Sequence, residues 1–551
     1  MEWEFEFKWY KVVFNTLLAV ALTWLTWIVC LTLFVDSTAF RNPLSPIRYL
    51  PFFADLQILY LTPAAVFFTL TTVALVVTSR VDGEYGNARI ATKSDIKEMG
   101  MHADKGAIYG RAAGKYLRSD ENLSTLLIAP PNTGKTAAVI IPTLFSCSYS
   151  MFVNDVKGEL WNKTSAYRAS FGRVGIFAPT IDHPDSLGFN PLSNRCLPQD
   201  MDSAIDYIDR LAEVLWPTVD VDDTTKHFNG EAKEVFVFWA LYLLVKNREY
   251  DTDEASLPGV YDVSLCSGDM QMAVMHVMEN ERSIIPDIME KIGFGIINKD
   301  SREFSNTATT FKQAITPFAR PSVRKHFMRC DFDYKDFRQP TPFTLYLCVP
   351  ARDMDRIAPM IRMMSIYLVG EMLSEPEASI VQPVYFLLDE FPRLGKMPAV
   401  VNAPEVGRSY KLRFMFVAQS VQQLQALYGK AGVDALTRMM DTCAYNVIFT
   451  QNDDKAAEKL SNTIGKHTRK KHSSSRKDLD LSGTTSESKE GHALITAQDL
   501  LNLGKNDLVM TVQGHKKHPI KAKKTWWFQD TNMKGLAGAY NNQIIEAEIN
   551  E

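Results

Sequence analysis

The chain has 551 residues, of which 46% are hydrophobic, and its formal net charge is -4. This length is sufficient for more than one domain with a sizeable core. The charge excludes the positive field over the whole molecule that proteins coating nucleic acid carry. Its 7 cysteines are scattered and include no C-x-x-C pair. We therefore expect a reduced compartment, without a disulfide framework or a zinc site.

Two segments near the N terminus, residues 12–35 and 57–79, contain no charged residue. Each exceeds the roughly 20 apolar residues that a helix needs to cross a bilayer. A secretory signal peptide would have a shorter apolar run, and a buried core helix would have a polar face. We predict two transmembrane helices. Basic residues flank the pair on both outer sides and only two lie between them, which predicts cytoplasmic ends and a short external loop.

The remainder of the chain alternates between strand-like and helical patterns. Short apolar runs bounded by turn residues predict buried strands at 122–130, 150–160, 173–179, 343–350, 383–390, 412–419 and 444–451. Helical patterns such as residues 358–373 separate several of these runs. This alternation predicts an α/β fold with a mostly parallel sheet.

A long helical pattern, residues 193–335, interrupts the alternation, so we predict an inserted all-α domain there. The α/β domain then consists of two parts, residues 83–192 and 336–530. The membrane anchor occupies residues 1–82, and we expect a flexible tail over residues 531–551.

Residues 466–490 are polar, rich in serine and almost without apolar side chains, which predicts a mobile loop. This segment includes a basic run: Lys466, Arg469, Lys470, Lys471, Arg476 and Lys477. These side chains either contact phosphates or are solvated loop charges. The chain that follows, up to about residue 527, predicts a helix and a β-hairpin.

The stretch APPNTGKT matches the phosphate-binding loop G-x-x-x-x-G-K-S/T except at its first position, where Ala129 stands. In such a loop Gly134 allows close backbone approach, Lys135 reaches the β and γ phosphate oxygens, and the Thr136 hydroxyl ligates magnesium. We expect nucleotide contacts from six consecutive residues: Asn132, Thr133, Gly134, Lys135, Thr136 and Ala137.

The alanine at the first position raises the question of backbone strain. A strained conformation at Ala129 would cost about 1–3 kcal/mol. This position only enters the loop, however, and the two prolines that follow, Pro130 and Pro131, can set a different entry.

A second motif, VYFLLDE, is a hydrophobic strand that ends in two carboxylates. Adjacent acids at a strand end are costly unless a cation or water lies there. We predict that Asp389 holds magnesium through its water shell and that Glu390 orients and deprotonates the attacking water. Gln419 ends a later strand, where its amide either senses the γ-phosphate or only belongs to the turn that follows the strand. Arg408 either neutralises the transition state in a neighbouring subunit or is an ordinary surface arginine.

The order and content of five motifs resemble the bacterial type IV secretion coupling proteins, the TraG/TraD family. The motifs are APPNTGKTAAVIIPTL, NDVKGELW, FNPL, LLDEFPRLG and GRSYKLRFMFVAQSVQQL. This resemblance implies two N-terminal membrane spans followed by a RecA-like P-loop motor domain with an inserted all-α domain. It also implies that ATP binds despite Ala129, since the family varies at this position.

The resemblance further implies a homo-hexameric ATPase, dependent on ATP and Mg, in the bacterial inner membrane with its large domain in the cytoplasm. Such a protein recruits a relaxase–single-stranded DNA complex, or effector proteins, to the type IV secretion channel and its ATPases. Arg408 would then act on the neighbouring subunit's ATP. Three residues of the motif NDVKGELW either link the nucleotide site to the pore or form a structural ion-pair cluster: Asp155, Lys157 and Glu159.

Three other classes of protein are alternatives. An FtsK-like translocase of double-stranded DNA shares the motor but carries a long linker and a DNA-reading C-terminal domain, which this sequence lacks. A non-catalytic receptor on a motor fold would not need Lys135, Thr136, Asp389 and Glu390 to be intact. A membrane protease with a motor domain would carry an H-E-x-x-H helix, and the chain contains none.

Overall fold

The computed structural model of the protein describes residues 86–219, 221–265, 269–429, 434–475 and 484–545, together with short stretches between residues 21 and 67. The chain divides into two compact units. One unit comprises residues 1–87 and 467–492, and the other comprises residues 88–466 and 493–551.

The strands, in chain order, are β1 (Ala107–Ala112), β2 (Lys115–Ser119), β3 (Thr125–Ile128), β4 (Ser150–Asn154), β5 (Arg173–Phe177), β6 (Phe343–Leu347), β7 (Val384–Leu388), β8 (Leu412–Ala418), β9 (Tyr445–Ile448), β10 (Lys466–Ser475), β11 (Thr484–Ala493), β12 (Asp507–Val512) and β13 (Ile520–Lys523).

The α-helices are α1 (Ser45–Arg48), α2 (Lys93–Glu98), α3 (Ile141–Ser146), α4 (Glu159–Ala169), α5 (Met201–Leu215), α6 (Asp223–Tyr250), α7 (Leu257–Leu265), α8 (Met270–Asn280), α9 (Asp287–Ile297), α10 (Ser301–Ile315), α11 (Pro321–Phe327), α12 (Tyr334–Arg338), α13 (Met354–Leu373), α14 (Pro398–Gly407), α15 (Val421–Tyr428), α16 (Ala435–Thr442), α17 (Asp454–Ile464), α18 (Ala497–Leu501) and α19 (Thr531–Leu536). A π-helical turn covers Thr136–Ile140, and short 3₁₀ helices cover Thr316–Ala319, Ala351–Asp353, Glu377–Ser379, Phe391–Leu394, Trp527–Gln529 and Tyr540–Asn542.

The larger unit is built on an 11-stranded sheet in the order β2-β1-β13-β12-β9-β3-β8-β7-β4-β6-β5. From β9 to β5 all neighbouring strands are parallel. Beyond β9, strands β12, β13, β1 and β2 extend the sheet by antiparallel pairing. The predicted α/β fold is confirmed, and the seven strands predicted from apolar runs are the parallel strands β3 to β9.

Strands β1 and β2 were missed by the sequence prediction. In β1, AIYGRA, a glycine and an arginine interrupt the apolar residues after three positions, and β2, KYLRS, is mostly polar. β2 is the edge strand and is only partly buried, and the apolar run of β1 is short. Neither strand therefore has the long continuous apolar run that marks a strand buried on both faces.

The parallel strands are buried on both faces, which explains their continuous apolar runs. In β3, Leu126 and Ile128 join one hydrophobic core while Leu127 joins another, as the two-residue period of a strand requires. The first core also contains helical residues such as Trp239 of α6. Both faces of the sheet are therefore covered.

The predicted helical insertion lies between β5 and β6. The described residues in this interval form helices α5 to α12 and contain no strand. Their apolar side chains belong to the same hydrophobic cluster as one face of the sheet, for example Phe238 together with Phe386 of β7. The insertion is thus helical and shares a core with the sheet. A separate all-α domain over residues 193–335 remains a prediction.

The predicted transmembrane helices, residues 12–35 and 57–79, lie outside the described residues apart from residues 24–35 and a few single positions. Residues 24–34 are helical. Among the residues that the structure describes, no helix combines the length and the apolarity that a membrane crossing requires.

The prediction of a mobile loop at residues 466–490 is wrong over most of its length. Strands β10 and β11 pair there as a two-stranded sheet. The backbone groups of a strand pair bond to each other and need no apolar side chains. The lack of apolar residues therefore did not exclude strands.

Within the predicted flexible tail, residues 531–551, residues 531–545 include α19 and a 3₁₀ turn, and the last six residues lie outside the described part of the chain. The segment packs on α4. Trp161 Nε1 donates to the Gln543 carbonyl (2.7 Å), and the Asn162 side chain exchanges two hydrogen bonds with the backbone of Ile545 (2.7 and 2.8 Å). Ile545 is 4% exposed and packs against Gly158, where an added Cβ would lie 2.9 Å from its Cγ2.

Two adjacent isoleucines test this packing, because Ile545 is 4% exposed and Ile544 is 67% exposed. Ile545→Ala should lower the free energy of unfolding by about 2 kcal/mol, since it leaves a cavity beside Gly158. Ile544→Ala should change it by less than about 0.5 kcal/mol. Denaturant unfolding and hydrogen exchange of residues 531–545 measure the difference. Equal effects of the two substitutions would contradict the packing.

Candidate nucleotide-binding site

Three neighbouring parallel strands, β3, β8 and β7, end at the same edge of the sheet. The phosphate-loop motif follows β3, Gln419 follows β8, and Asp389 with Glu390 follows β7. Because β8 lies between the other two, Gln419 emerges between the two principal motifs. These residues line a cleft of about 270 Å³, together with Asp155, Lys157 and Glu159.

The backbone of the phosphate loop has two left-handed residues, Asn132 (φ 62°) and Gly134 (φ 84°). Ala129 does not have a positive φ; it is fully buried, and its N–H donates to the Ala418 carbonyl at 3.0 Å. The expected strain at Ala129 is therefore absent, because this loop makes its tight turn three residues later. The Thr133 hydroxyl donates to the Pro130 carbonyl (2.6 Å) and closes this turn.

Lys135 forms an ion pair with Asp389 across the cleft. Their side chains are 11% and 13% exposed, so each charge needs the other as a partner. Asp389 is also held by its surroundings, because Asn154 Nδ2 donates to its carbonyl (2.6 Å) and the Glu390 N–H donates to its Oδ1 (2.9 Å). If a nucleotide and a cation bound in the cleft, the ion pair could separate without leaving either charge unpaired. Lys135 would then pair with phosphate oxygens, and Asp389 would pair with the cation.

Glu390 is a left-handed residue that is not glycine, with φ 52° and ψ 36°. Backbone strain of this kind persists only where the surroundings hold it. Two donors fix the carboxylate: Gln419 Nε2 reaches Oε1 at 2.9 Å, and Arg393 Nε reaches Oε2 at 3.0 Å. The predicted base is thus connected directly to the predicted γ-phosphate sensor.

The residues expected to hold magnesium fit that ion. Thr136 and Asp389 line the same cleft, and hydroxyl and carboxylate oxygens are the ligands that magnesium prefers. The Oδ1 atom of Asn154, beside Asp389, is buried without a hydrogen-bond partner. This unpaired oxygen lies behind Asp389, and the acceptors in the cleft itself are the Thr136 hydroxyl and the Asp389 carboxylate.

Asp155 anchors the turn that carries Lys157 and Glu159. Its carboxylate accepts a hydrogen bond from the Trp161 N–H (2.8 Å), and burial raises its pKa to about 7. Among the described residues no ion pair joins these three side chains, so the predicted alternative of a structural ion-pair cluster is wrong. The turn instead places Lys157 and Glu159 at the cleft.

Two predicted site residues do not line this cleft: Thr133, whose hydroxyl closes the turn of the phosphate loop, and Arg408. Arg408 is exposed and precedes β8, whereas Gln419 follows the same strand. A strand of this length spans about 20 Å. Arg408 therefore lies toward the opposite edge of the sheet from the cleft of its own chain.

The sequence prediction missed Asn154 and Arg393. Arg393 lies three residues after Glu390 in LLDEFPRLG, and this i,i+3 spacing could have indicated that the two side chains pair. Asn154 had no such signal, because β4 meets β7 only in the folded sheet. Lys524 was also missed: its Nζ donates to the Thr133 carbonyl at 2.9 Å, and burial lowers its pKa to about 8.

The fold and the cleft define a P-loop α/β nucleotide-binding protein. The sequence profile of the family described as "Type IV secretory system Conjugative DNA transfer" matches residues 81–550. The chain belongs to this family, and the resemblance to type IV secretion coupling proteins is confirmed.

Relatives agree with this assignment. The chain is 27% identical over 476 residues to Protein VirD4 of Agrobacterium fabrum (strain C58 / ATCC 33970), covering 84% of this chain and 68% of the relative. It is 25% identical over 442 residues to Conjugal transfer protein TraG of Escherichia coli, covering 72% of this chain and 67% of the relative.

Solved structures share the fold. The bacterial conjugative coupling protein TrwBdeltaN70 matches with a TM-score of 0.59 and 16% identity, over 81% of this chain and 95% of that chain. The plasmid coupling protein TrwB in complex with ADP and Mg²⁺ matches with a TM-score of 0.58 and 17% identity, over 81% and 97%.

The raised pKa of Asp155 predicts a pH dependence of stability. Between its ordinary value of 3.8 and about 7, the folded state keeps a proton that the unfolded state has lost. The free energy of unfolding from this residue therefore falls as the pH rises through that window and is constant above it. Asp155→Asn keeps an acceptor for the Trp161 N–H and cannot ionise, so it should lack this slope.

We expect the variant to gain stability relative to the wild type by roughly 1–3 kcal/mol on going from pH 5 to pH 8. Denaturant unfolding at both pH values measures this. Glu159→Gln, in the same turn, is the control and should follow the wild-type curve. Parallel pH curves for Asp155→Asn and the wild type would contradict the burial argument.

Proposed function

We propose that the protein is an inner-membrane ATPase that serves as a type IV secretion coupling protein. It recruits a relaxase–single-stranded DNA complex or effector proteins to the secretion channel and drives their transfer by ATP hydrolysis. The proposal rests on one observation, which is that five predicted site residues line a single cleft. They are Lys135, Thr136, Asp389, Glu390 and Gln419. Family membership supplies the cellular process.

The residues of the cleft have distinct roles in this reaction. Lys135 and the N–H groups of the phosphate loop bind the β and γ phosphate oxygens. Thr136 and Asp389 would hold magnesium, which would neutralise charge on the phosphates. Glu390 orients a water molecule and accepts its proton as the oxygen attacks the γ-phosphorus. The bond to the β–γ bridging oxygen breaks, and ADP and phosphate leave.

The contact between Gln419 and Glu390 suggests how hydrolysis is coupled to movement. Gln419 ends β8 and is followed at once by α15, which begins at Val421. Loss of the γ-phosphate changes the surroundings of both side chains. Their hydrogen bond then transmits that change to the end of β8 and the start of α15.

The nature of the cargo is the second part of the proposal. The family description names conjugative DNA transfer, and a relative is named for conjugal transfer, so we favour a DNA–relaxase cargo; effector proteins are the alternative. A non-catalytic receptor is disfavoured, because Glu390 is held in a strained conformation by two donors and a platform would not need it.

We further propose a homo-hexamer anchored by residues 12–35 and 57–79, with the large domain in the cytoplasm. The position of Arg408 supports an assembly with shared sites. This residue lies toward the edge of the sheet opposite its own cleft, and an arginine there is available to a neighbouring subunit's nucleotide. The proposal gives Arg408 a role in trans.

Lys135→Ala should bind ATP poorly and abolish its hydrolysis, because the phosphate oxygens lose their cation. Glu390→Gln should bind ATP normally but lower turnover by about 10²–10⁴, the contribution of a general base. Nucleotide titration and phosphate release measure binding and turnover separately. Lys115→Ala, an exposed lysine on β2, is the matched control. Wild-type turnover in Lys135→Ala would refute the site, and failure of Glu390→Gln to bind ATP would make Glu390 structural.

Arg408→Ala should cripple hydrolysis by about 10³-fold or more with little loss of ATP binding, and lysine should rescue it poorly because the planar fork is lost. Mixing Arg408→Ala with Lys135→Ala subunits should restore part of the activity, because some interfaces then join an intact loop to an intact arginine. Rings shown to contain both subunits but without activity would reduce Arg408 to a structural residue.

A further inference from the structure

An aromatic run, Trp526-Trp527-Phe528, follows β13 and lies against the phosphate loop. A Cβ added at Gly134 would overlap the six-membered ring of Trp526. Two residues before this tryptophan, Lys524 Nζ donates to the Thr133 carbonyl at 2.9 Å. The roles assigned above to the cleft residues leave the three aromatic side chains without a function.

The order of the strands indicates which way the nucleoside of a bound nucleotide would point. On one side of β3 lie β8 and β7, which carry the residues predicted to act at the γ-phosphate. On the other side lie β9, β12 and β13, and two residues separate the end of β13 from the start of the aromatic run. With its γ-phosphate toward Asp389 and Glu390, a nucleotide would extend its nucleoside toward the aromatic side of the loop.

The aromatic surface is held in place and partly open to solvent. Trp526 Nε1 donates to Asn506 Oδ1 at 3.0 Å, which fixes the plane of the indole. The ring of Phe528 lies 5.7 Å from that of Trp526, and the Phe528 side chain is 45% exposed. An exposed phenylalanine gains little from the core, but its open face can stack on a planar base.

We propose that Trp526 and Phe528 form the nucleobase-binding surface of the ATP site. The inference rests on the proposed function and adds to it the group that contacts the base. Stacking provides affinity without reading the edge of the base, so this surface favours nucleotides over bare polyphosphates. Lys524 holds the loop carbonyl beside it and thereby positions the loop relative to the aromatic rings.

The competing explanation is that these rings only shape the phosphate loop. A change in loop shape would weaken the binding of any ligand with phosphates, whereas loss of stacking would weaken only ligands with a base. The test therefore compares ADP with inorganic tripolyphosphate, using isothermal titration of the full-length protein in detergent micelles.

Phe528→Ala should weaken ADP binding by about tenfold and leave tripolyphosphate binding within about twofold, which is the effect of losing one base–aromatic stack. Phe528→Tyr keeps the ring and should bind ADP within about twofold of the wild type. The matched control is Leu536→Ala, an exposed apolar residue of α19 in the same C-terminal segment, at 36% exposure. It should bind both ligands normally.

A second measurement addresses Trp526 without depending on the alanine variant. Binding of ADP should quench tryptophan fluorescence in the wild type, and this quench should shrink in Trp526→Phe, which retains an aromatic face. An unchanged quench in Trp526→Phe would overturn the role of Trp526.

The inference fails if Phe528→Ala binds ADP as the wild type does, or if it weakens ADP and tripolyphosphate equally. Failure of the proposed function gives a different result. A wild-type protein that binds neither ligand would refute both, whereas normal wild-type binding of both with no selective effect of Phe528→Ala would refute the base-binding surface alone.

Discussion

The parallel pairing of β3, β8 and β7 is the constraint on which the rest of the site depends. Their register places Ile128 beside Ala418 and Leu388 beside Phe416, so the three strands end almost level. Parallel strands send their carboxyl ends to the same edge, and the loops that follow must meet there. A shift of one residue would turn every side chain to the opposite face and separate the two motifs.

Placing these motifs together concentrates negative charge. Asp155, Asp389 and Glu390 line one small cleft, with Lys135 paired to only one of them. A different interaction reduces the cost of each carboxylate. Asp389 is ion-paired, Glu390 accepts hydrogen bonds from an amide and a guanidinium, and the pKa of Asp155 is raised. A cleft with this surplus of acceptors favours a cation, and its arrangement is costly for stability in the absence of one.

The C-terminal part of the chain supports both loops of the site. Lys524 and Trp526 contact the phosphate loop, and Ile545 packs on Gly158 in the turn that carries Lys157 and Glu159. Gly134 of the phosphate loop and Gly158 both have a positive φ, and at both an added Cβ would collide with the C-terminal segment. These glycines therefore serve tertiary packing as well as backbone conformation. The segment after β13 is part of the site's architecture and not an appendage to it.

The sequence by itself determined the parallel strands, the long helices and the chemical motifs. A strand buried on both faces must be apolar throughout, and loops that bind phosphate or metal need particular residues at fixed spacing, so these features are local. Strands β1 and β2 and the polar pair β10 and β11 carry no such local signal, because backbone pairing holds them and they lack a long continuous apolar run.

Only the tertiary structure decided which distant residues complete the site. Lys135 and Asp389 are 254 positions apart, and Lys524 and Thr133 are 391 apart. The sequence suggested the first pair, since both residues belong to known motifs. It could not suggest the second, or the contact of Asn154 with Asp389, because a lysine, a tryptophan or an asparagine acquires its role from the neighbours that the strand order supplies. Ala129 shows the same limit: whether glycine is needed there depends on where the loop makes its left-handed turn.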